Sequence, residues 1–345
     1  MVRPVEGGHE VEVRLKADTT RIHPPEGGLH KMALEENLTR RQVLKAAIGG
    51  AAGLIVGAPR VFGQADSAAI RLKPDSTTQL ADDLFVIGIP GEANVVAHTG
   101  SAGVLLVDGG SARAADAVMK AVAGLPGGGQ VHTLFNTHWH PEQTGLNEQI
   151  GKAGKTIIAQ ENTRLWLAAD VTWPWNGQTF KRLPKIAQPN KTFYDKGQLD
   201  SGIRYGYIPD CAHTDGDLYV HFPQQNVLAV GDVISGEGWP AVDWTTGGWV
   251  GGMVGGLQRV LSLTNEKTRI VPGRGPVLGL EDLKKQFDMY QTLYDRLTQL
   301  LNKGRGPSEA VEARPAKEFE TQWGNADEFV RRSFESLWAY LSPDA

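Results

Sequence analysis

Two histidines separated by a single residue mark the stretch of this chain best suited to chemistry. Residues 136–145 read NTHWHPEQTG, with His138 and His140 just after the apolar run Val131–Phe135. On extended backbone, side chains two residues apart project to the same side, so both imidazoles can reach one metal ion. Imidazole suits zinc, and a catalytic zinc takes three protein ligands and one water. Zinc lowers the pKa of that water from about 15.7 to about 7, which yields a nucleophile at neutral pH.

A third histidine can complete the site from a distant loop. His213 lies in segment 209–217, PDCAHTDGD, between two predicted strands. Loops that join rigid elements often carry functional side chains. Two more polar segments each follow a short apolar run: Gly231 and Asp232 come after residues 227–230, and the sequence PGRG at 272–275 comes after Arg269–Val271.

The order of these segments is similar to that of the metallo-β-lactamase superfamily. That family carries HxHxDH after a strand, a histidine in an HTxG loop, a Gly-Asp pair at a strand end and a PGHG turn. This chain matches at His138, His140, residues 213–216, residues 231–232 and the Pro-Gly frame of residues 272–275, and Asp108 fits an early strand-Asp-Gly. Several motifs in one order, over roughly residues 80–280, are far more specific than any single motif.

The resemblance implies an α+β fold, a four-layer αββα sandwich with metals at the edge between its sheets. It also implies that His138, His140 and His213 hold the first metal. In the family, the Gly-Asp aspartate and the remaining motif positions hold a second metal. Asp232 would be the metal-side carboxylate, although a strand-end aspartate could also simply cap a turn.

Three departures from the family pattern all fall on the second metal site. The aspartate of HxHxDH is Glu142, the histidine after it is Gln143, and the PGHG histidine is Arg274. Arginine cannot ligate a cation because it stays protonated. The resemblance therefore predicts one Zn²⁺ site, with a second site that is doubtful.

Asp232, Glu142 and Arg274 are the candidate catalytic residues beside the metal. Glu142 could be a first-turn acid that suits a helix dipole, or a proton shuttle beside the metal water. Arg274 should enter the second-metal space and replace that metal's charge, since guanidinium binds carboxylates through paired hydrogen bonds. The other possibility is that its head group turns to solvent.

The predicted function is a metal-dependent hydrolase that attacks an ester, lactone, thioester or amide bond in a small molecule. One alternative is a non-catalytic binding protein that keeps the fold, which the loss of both second-site histidines favours. Another is a two-metal hydrolase with a weakly held second ion on Glu142, Gln143 and Asp232. A β-lactam substrate does not follow from the family name, since one fold hosts many chemistries.

Alternating apolar runs and helical spacing predict two mixed sheets packed face to face with helices outside. The predicted strands are 84–88, 94–98, 104–107, 131–135, 156–159, 203–208, 218–222, 227–230 and 269–271. The predicted helices are 114–125, 144–151, 161–169, 255–263, 280–301 and 327–341. We expect a metallo-β-lactamase-like domain at residues 66–280 and a C-terminal helical extension at 281–345.

The N-terminus reads as an export signal. Residues 39–45, TRRQVLK, precede a mild apolar stretch and the small residues of 63–65, which resembles a twin-arginine signal cleaved near Ala65. The departure is Val43, where such signals usually carry phenylalanine, and an ordinary basic helix start is the alternative. The expectation is a periplasmic or secreted protein that uses the twin-arginine (Tat) machinery without a stable membrane anchor. Met32 is a more natural start than Met1.

Composition excludes several classes of protein. The formal net charge is −4, which gives no basic patch for nucleic acid. The single cysteine, Cys211, cannot form an intramolecular disulfide, and buried packing is favoured over a role as a soft metal ligand. Six of nine tryptophans fall between Trp166 and Trp249, where they either pack core edges or form an apolar wall over the site.

Overall fold

Two β-sheets form the centre of the protein in the computed structural model, which describes residues 70–73 and 76–341. The strands are β1 (Thr77–Ala81), β2 (Leu84–Gly88), β3 (Asn94–Gly100), β4 (Gly103–Val107), β5 (Val131–Phe135), β6 (Thr156–Gln160), β7 (Val171–Thr172), β8 (Thr179–Phe180), β9 (Lys191–Phe193), β10 (Lys196–Gln198), β11 (Arg204–Tyr207), β12 (Leu218–Phe222), β13 (Val227–Ala229) and β14 (Arg269–Val271). One sheet has the order β1-β2-β3-β4-β5-β6-β9 and the other β10-β11-β12-β13-β14. A small hairpin, β7-β8, stands apart from both.

Helices cover the outer face of each sheet. They are α1 (Ala115–Ala123), α2 (Pro141–Thr144), α3 (Asn147–Lys152), α4 (Glu161–Leu167), α5 (Val250–Leu261), α6 (Leu280–Asn302), α7 (Pro307–Glu312), α8 (Glu320–Trp323) and α9 (Asp327–Leu341). The described residues all fall in one compact unit. None of the described helices is both long and apolar enough to span a bilayer.

Three buried clusters account for the layered order. Strand side chains alternate between faces, so a strand buried on both faces is apolar at consecutive positions, as in β4. Its Leu105 and Val107 face a core shared by both sheets, while Val104 and Leu106 pack with α1 and α3. The third cluster joins β12–β14 to α5, α6 and α9. The αββα sandwich predicted from the sequence is confirmed, with the C-terminal helices packed on the second sheet.

Two predicted helices need correction. The helix expected at 255–263 begins five residues earlier, at Val250. Glycines are poor helix formers and hid this start, but here they allow close packing against a neighbouring loop. A Cβ at Gly252 would lie 2.2 Å from the backbone oxygens of Asp210 and Cys211. The helix expected at 144–151 is two short helices, α2 and α3, that begin at Pro141 and Asn147. Proline favours the first turn of a helix, so the first start had a local signal.

The predicted export signal and its cleavage site at Ala65 lie outside the described residues. Arg40, Arg41 and the alternative start at Met32 are also outside them. Export and periplasmic location therefore stay predictions.

We predict that the last helix contributes to the stability of the sandwich through its buried face. Leu337 is 0% exposed in α9 and packs in the cluster of the second sheet, whereas Leu341 on the same helix is 47% exposed. Leu337→Ala should lower the free energy of unfolding by about 2–5 kcal/mol, because it leaves a cavity. Leu341→Ala is the matched control and should change it by less than about 0.5 kcal/mol. Equal effects of the two changes in urea unfolding would contradict this packing.

Candidate metal centre

The chemistry-bearing residues meet at one edge of the sandwich because several strands end there. β4 and β5 run parallel, and Asp108 and His138 follow their ends. β13 and β14 also run parallel, and Asp232 and Arg274 follow them. β12 runs antiparallel to β13, so the loop that carries His213 into β12 lies at the same edge.

His138 is oriented by a chain of hydrogen bonds from the neighbouring strand end. Asp108 adopts a left-handed backbone, φ 63°, which aims its carboxylate back at Thr137. The Thr137 hydroxyl donates to Asp108 Oδ2 at 2.8 Å and lies 3.1 Å from His138 Nδ1. Burial raises the pKa of Asp108, and the hydrogen bonds from Thr137 oppose that shift. Because the hydroxyl proton goes to Asp108, Thr137 accepts from Nδ1–H, which leaves the Nε2 lone pair of His138 exposed to the site.

His140 uses the opposite ring nitrogen. It is the residue before α2, and its Nε2 lies 2.9 Å from Oδ2 of Asp243. Carboxylates accept only, so Nε2 carries the proton and Nδ1 presents the lone pair. Burial lowers the pKa of His140, but the hydrogen bond and charge of Asp243, with Glu142 and Asp232, outweigh it, so the pKa is raised. Burial beside two other imidazoles and Arg274 instead lowers the pKa of His138.

His213 is held by its loop. Asp217 accepts hydrogen bonds from the backbone N–H of His213 at 2.7 Å and of Thr214 at 2.9 Å, which fixes the turn. The ring Nδ1 of His213 lies 2.9 Å from the carbonyl oxygen of Ala241, which accepts its proton. Nε2 of His213 therefore presents a lone pair, as Nε2 of His138 does.

These three imidazoles fit a metal ion. Nε2 of His213 and Nδ1 of His140 lie 3.2 Å apart. When both rings are neutral, their partners make both nitrogens acceptors, and a cation between them satisfies both lone pairs. When His140 is protonated, its Nδ1–H can instead donate to Nε2 of His213. Nε2 of His138 is buried without a hydrogen-bond partner. One ligand atom from each of His138, His140, His213 and Asp232 lies within 4.8 Å of the others, and all four residues are buried. Nitrogen and carboxylate donors in this number suit Zn²⁺.

Asp232 is held in the site by two backbone turns, at Gly231 and Gly273, that are hydrogen-bonded to each other. Gly231, φ 57°, accepts a hydrogen bond from the N–H of Gly273 at 2.7 Å. A Cβ at Gly273 would lie 1.7 Å from Asp232 Oδ1, so this position has no room for a side chain. Burial raises the pKa of Asp232, but Arg274, His213 and His140 outweigh it and lower the pKa. Asp232 is therefore a carboxylate at neutral pH.

Arg274 enters the space beside Asp232 and Glu142 and does not turn to solvent. Its Nη2 lies 3.1 Å from Oδ2 of Asp232 and 3.9 Å from Oε1 of Glu142. Burial lowers the pKa of Arg274, but Asp232 and Glu142 together raise it, so the guanidinium stays charged. A fixed positive charge thus lies between two carboxylates that would otherwise repel each other.

The other two departures from the family motif, Glu142 and Gln143, are consecutive residues of α2. Gln143 is fully buried, and among the described residues neither its side-chain amide nitrogen nor its amide oxygen has a hydrogen-bond partner. Glu142 occupies the first turn of α2 and also lines the cleft over the histidines. Glu142 thus lies both at the helix N-terminus and at the site, and its role as a proton shuttle stays a prediction.

A narrow cleft opens over the cluster. Its lining residues are His140, Glu142, Trp173, Trp175, Asp232, Ala241, Val242, Asp243, Arg274 and Arg332. Trp173 lies with its ring centroid 5.3 Å from that of His140, and Trp175 stacks on Trp173 at 5.1 Å. Trp239 and Trp249 instead stack on Phe329 and Tyr340. Trp173 and Trp175 therefore form an apolar wall of the cleft, whereas Trp239 and Trp249 pack against other aromatic residues.

A family model described as the metallo-beta-lactamase superfamily matches residues 88–274, which span every motif of the site. The chain belongs to the metallo-beta-lactamase superfamily. Members of this superfamily are mostly metal-dependent hydrolases, and the buried His/Asp cluster could bind a metal cofactor. No curated protein sequence matches the chain significantly.

Solved metallo-beta-lactamases share the fold. DIM-1 metallo-beta-lactamase is 17% identical with a TM-score of 0.51, covering 64% of this chain and 98% of its own. A metallo-beta-lactamase from Pontibacter korlensis is 18% identical with a TM-score of 0.51, covering 64% and 99%. TMB-1 is 16% identical with a TM-score of 0.50, covering 64% and 97%. At this identity the similarity shows the fold alone, and the remaining third of the chain has no counterpart in these structures.

Asp243 is a residue of this site that the sequence did not predict. Asp243 is 1% exposed and accepts from His140, Thr246 and Trp173. Its position in the Gly- and Trp-rich loop gave no local signal, because its partner is 103 residues away. Cys211 is not part of the described metal cluster, and burial raises the pKa of its thiol.

We predict that Asp243 sets metal affinity through the orientation of His140. Asp243→Ala should weaken zinc binding about 10–100-fold, as removal of partners that orient metal-bound histidines does. Asp215→Ala is the control, because Asp215 likewise accepts from a tryptophan, Trp166, but bonds no histidine of the cluster. Competition with a fluorescent zinc chelator gives both affinities. If Asp243→Ala binds zinc as tightly as Asp215→Ala does, Asp243 does not orient His140.

Proposed function

We propose that this protein is a mononuclear zinc hydrolase that cleaves an ester, lactone, thioester or amide bond in a small molecule. The observation that carries the proposal is the convergence of three buried imidazole lone pairs on one point, beside a carboxylate. His138 and His213 use Nε2 and His140 uses Nδ1, and each other ring nitrogen is held by a separate partner. Hydrogen bonds that orient each imidazole ring in this way are typical of a metal site.

His138, His140 and His213 would hold the ion, with Asp232 beside it. Zinc in such a site supplies Lewis acidity, which polarises a carbonyl and lowers the pKa of a water. Asp232 is 5% exposed and ionised, so it can orient the attacking water and take its proton. Glu142 has 19% of its side chain exposed, which lets it pass that proton to solvent.

Arg274 takes over the electrostatic role of a second metal. Its guanidinium balances Asp232 and Glu142, and its charge disfavours another cation in the same space. Fixed donors close to a reacting carbonyl stabilise the negative charge that develops on its oxygen. Arg274 is the residue of the second-site motif that can supply such donors. This arrangement supports a one-metal enzyme over a two-metal enzyme with a weak second ion.

The alternative is a binding protein that keeps the fold and one metal without turnover. The buried, unpartnered amide of Gln143 is the observation that favours it, because it replaces a metal-binding histidine with a group of low affinity for zinc. Turnover by the metal-loaded protein separates the two functions.

We predict about one tightly bound zinc per chain in protein purified without added metal, measured by elemental analysis. His213→Ala should weaken zinc binding and lower the zinc content, because it removes one of the three imidazole ligands. His221→Ala is the matched control, since His221 is a partly exposed strand histidine outside the cluster. The zinc form should hydrolyse 4-nitrophenyl or thiophenyl esters, and chelation should abolish this turnover. Two tight equivalents would contradict the one-metal proposal, and one zinc without turnover of esters, lactones, thioesters or amides would favour the binding protein.

We predict that restoring two histidines creates the missing second site. Arg274→His combined with Gln143→His should raise the zinc content to about two per chain, because Asp232 then gains two imidazole neighbours. Gln143→His alone should stay near one zinc, because the guanidinium of Arg274 still occupies the space beside Asp232. Two zinc ions in Gln143→His alone would show that Arg274 does not keep a second cation out.

A further inference from the structure

The C-terminal helix α9 places a second arginine in the active-site cleft. Arg332 lines the same cleft as His140, Asp232 and Arg274. It lies 58 residues beyond the end of the superfamily match, which stops at residue 274. Its side chain is 15% exposed, so it is held in the protein and is not a solvated surface cation.

Aromatic stacking holds Arg332 over the cleft. Its guanidinium carbon lies 4.5 Å from the ring centroid of Trp175. Trp175 stacks on Trp173, which lies edge-on to His140 at 5.3 Å. A continuous row of rings thus joins the candidate metal ligand to the guanidinium. Cation–π stacking fixes the plane of an arginine but leaves its N–H donors at the rim available.

The hydrogen bond that Arg332 makes to Glu328 is one that a ligand anion could replace. Within the described part of the chain its one hydrogen-bonded partner is Glu328, whose Oε1 lies 2.7 Å from Nε. Glu328 is one turn away on the same helix and is 61% exposed. Exposed pairs at this spacing contribute little stability, and arginine has five N–H donors in all. A ligand anion could therefore bind the remaining donors or replace Glu328.

The charge of the cleft also favours an anion once the metal is bound. Three carboxylates, of Glu142, Asp232 and Asp243, and two guanidiniums line it, so a divalent cation brings the charge of these lining groups to +1. Glu328 and Glu335, which also interact with Arg332, are outside this sum. Arg274 is engaged by Asp232 and Glu142 at the metal side. Arg332, paired with an exposed carboxylate, is the cation better placed to meet a ligand. Trp175 adds an indole N–H that is buried without a hydrogen-bond partner.

We propose that Arg332 is a specificity residue that binds an anionic group of the substrate, a carboxylate or a group of like charge, on the Trp175 face of the cleft. This proposal rests on the proposed hydrolase function, because it names the substrate class of that same site. The substrate is then a small organic anion whose cleavable carbonyl reaches the histidine cluster while its charged end stays at α9. A domain that ended with the superfamily match would lack this contact.

The test compares two esters that differ in one charge. Mono-4-nitrophenyl succinate carries a free carboxylate, and its methyl ester is neutral, while both release 4-nitrophenolate. We expect the zinc-loaded enzyme to prefer the anionic ester in kcat/KM, mainly through KM. Arg332→Gln should reduce that preference about 10–100-fold, the range for a lost hydrogen bond to a charged group. Arg332→Lys should retain part of it, and it provides the readout if Arg332→Gln fails to fold.

Arg331→Gln is the matched control, because Arg331 is the neighbouring arginine of α9 and does not line the cleft. It should leave the preference unchanged. Calorimetry with succinate adds a measurement that needs no turnover: Arg332→Gln should weaken succinate binding, and Arg331→Gln should not. If no ester is cleaved but succinate binding depends on Arg332, the hydrolase proposal fails and the anion site stands. An equal preference in wild type and folded Arg332→Gln, or unchanged succinate binding, overturns the anion site.

Discussion

The orientation of three buried imidazole rings towards one point is the constraint on which the site depends. Nε2 of His213 and Nδ1 of His140 lie 3.2 Å apart, and in the neutral rings each is an acceptor because the other ring nitrogen donates elsewhere. In a buried site with little water, such an arrangement is stable when a cation lies between the nitrogens. The sandwich edge supplies the rigid partners that keep the three rings in this state: Thr137, Asp243 and the carbonyl of Ala241.

Electrostatic balance beside the metal follows from the same burial. Asp232 and Glu142 need a positive charge near them, and Arg274 supplies one that does not dissociate. A metal ion in that position would need neutral imidazole ligands, and the chain provides Gln143 and Arg274 instead. The fixed guanidinium therefore balances the two carboxylates, and in the proposed one-metal site it would also occupy the space of a second ion.

The sequence predicted most of the sandwich and the histidine cluster, because both rest on local patterns. Apolar runs identified the central strands, and the spacing of His138 and His140 identified two ligands on one side of a strand end. Short strands such as β7 and β10 were missed, because two or three residues carry no periodic signal. Asp243 and Arg332 were missed for another reason. Their roles come from folding that joins distant segments, and each would read as an ordinary charged residue in a loop or an amphipathic helix.

The position of Arg332 links the architecture to the chemistry. The second sheet is buried on its outer face by α5, α6 and α9, so the last helix cannot be removed without exposing a core that contains Leu337 and Phe334. On the same helix, two residues before Phe334, Arg332 turns towards the cleft and lies over Trp175. A helix required for stability is thereby also held at a fixed distance from the metal ligands. Under the proposed function, the C-terminal helices would set the ligand that the cleft accepts, while the strand-end residues would hold the metal.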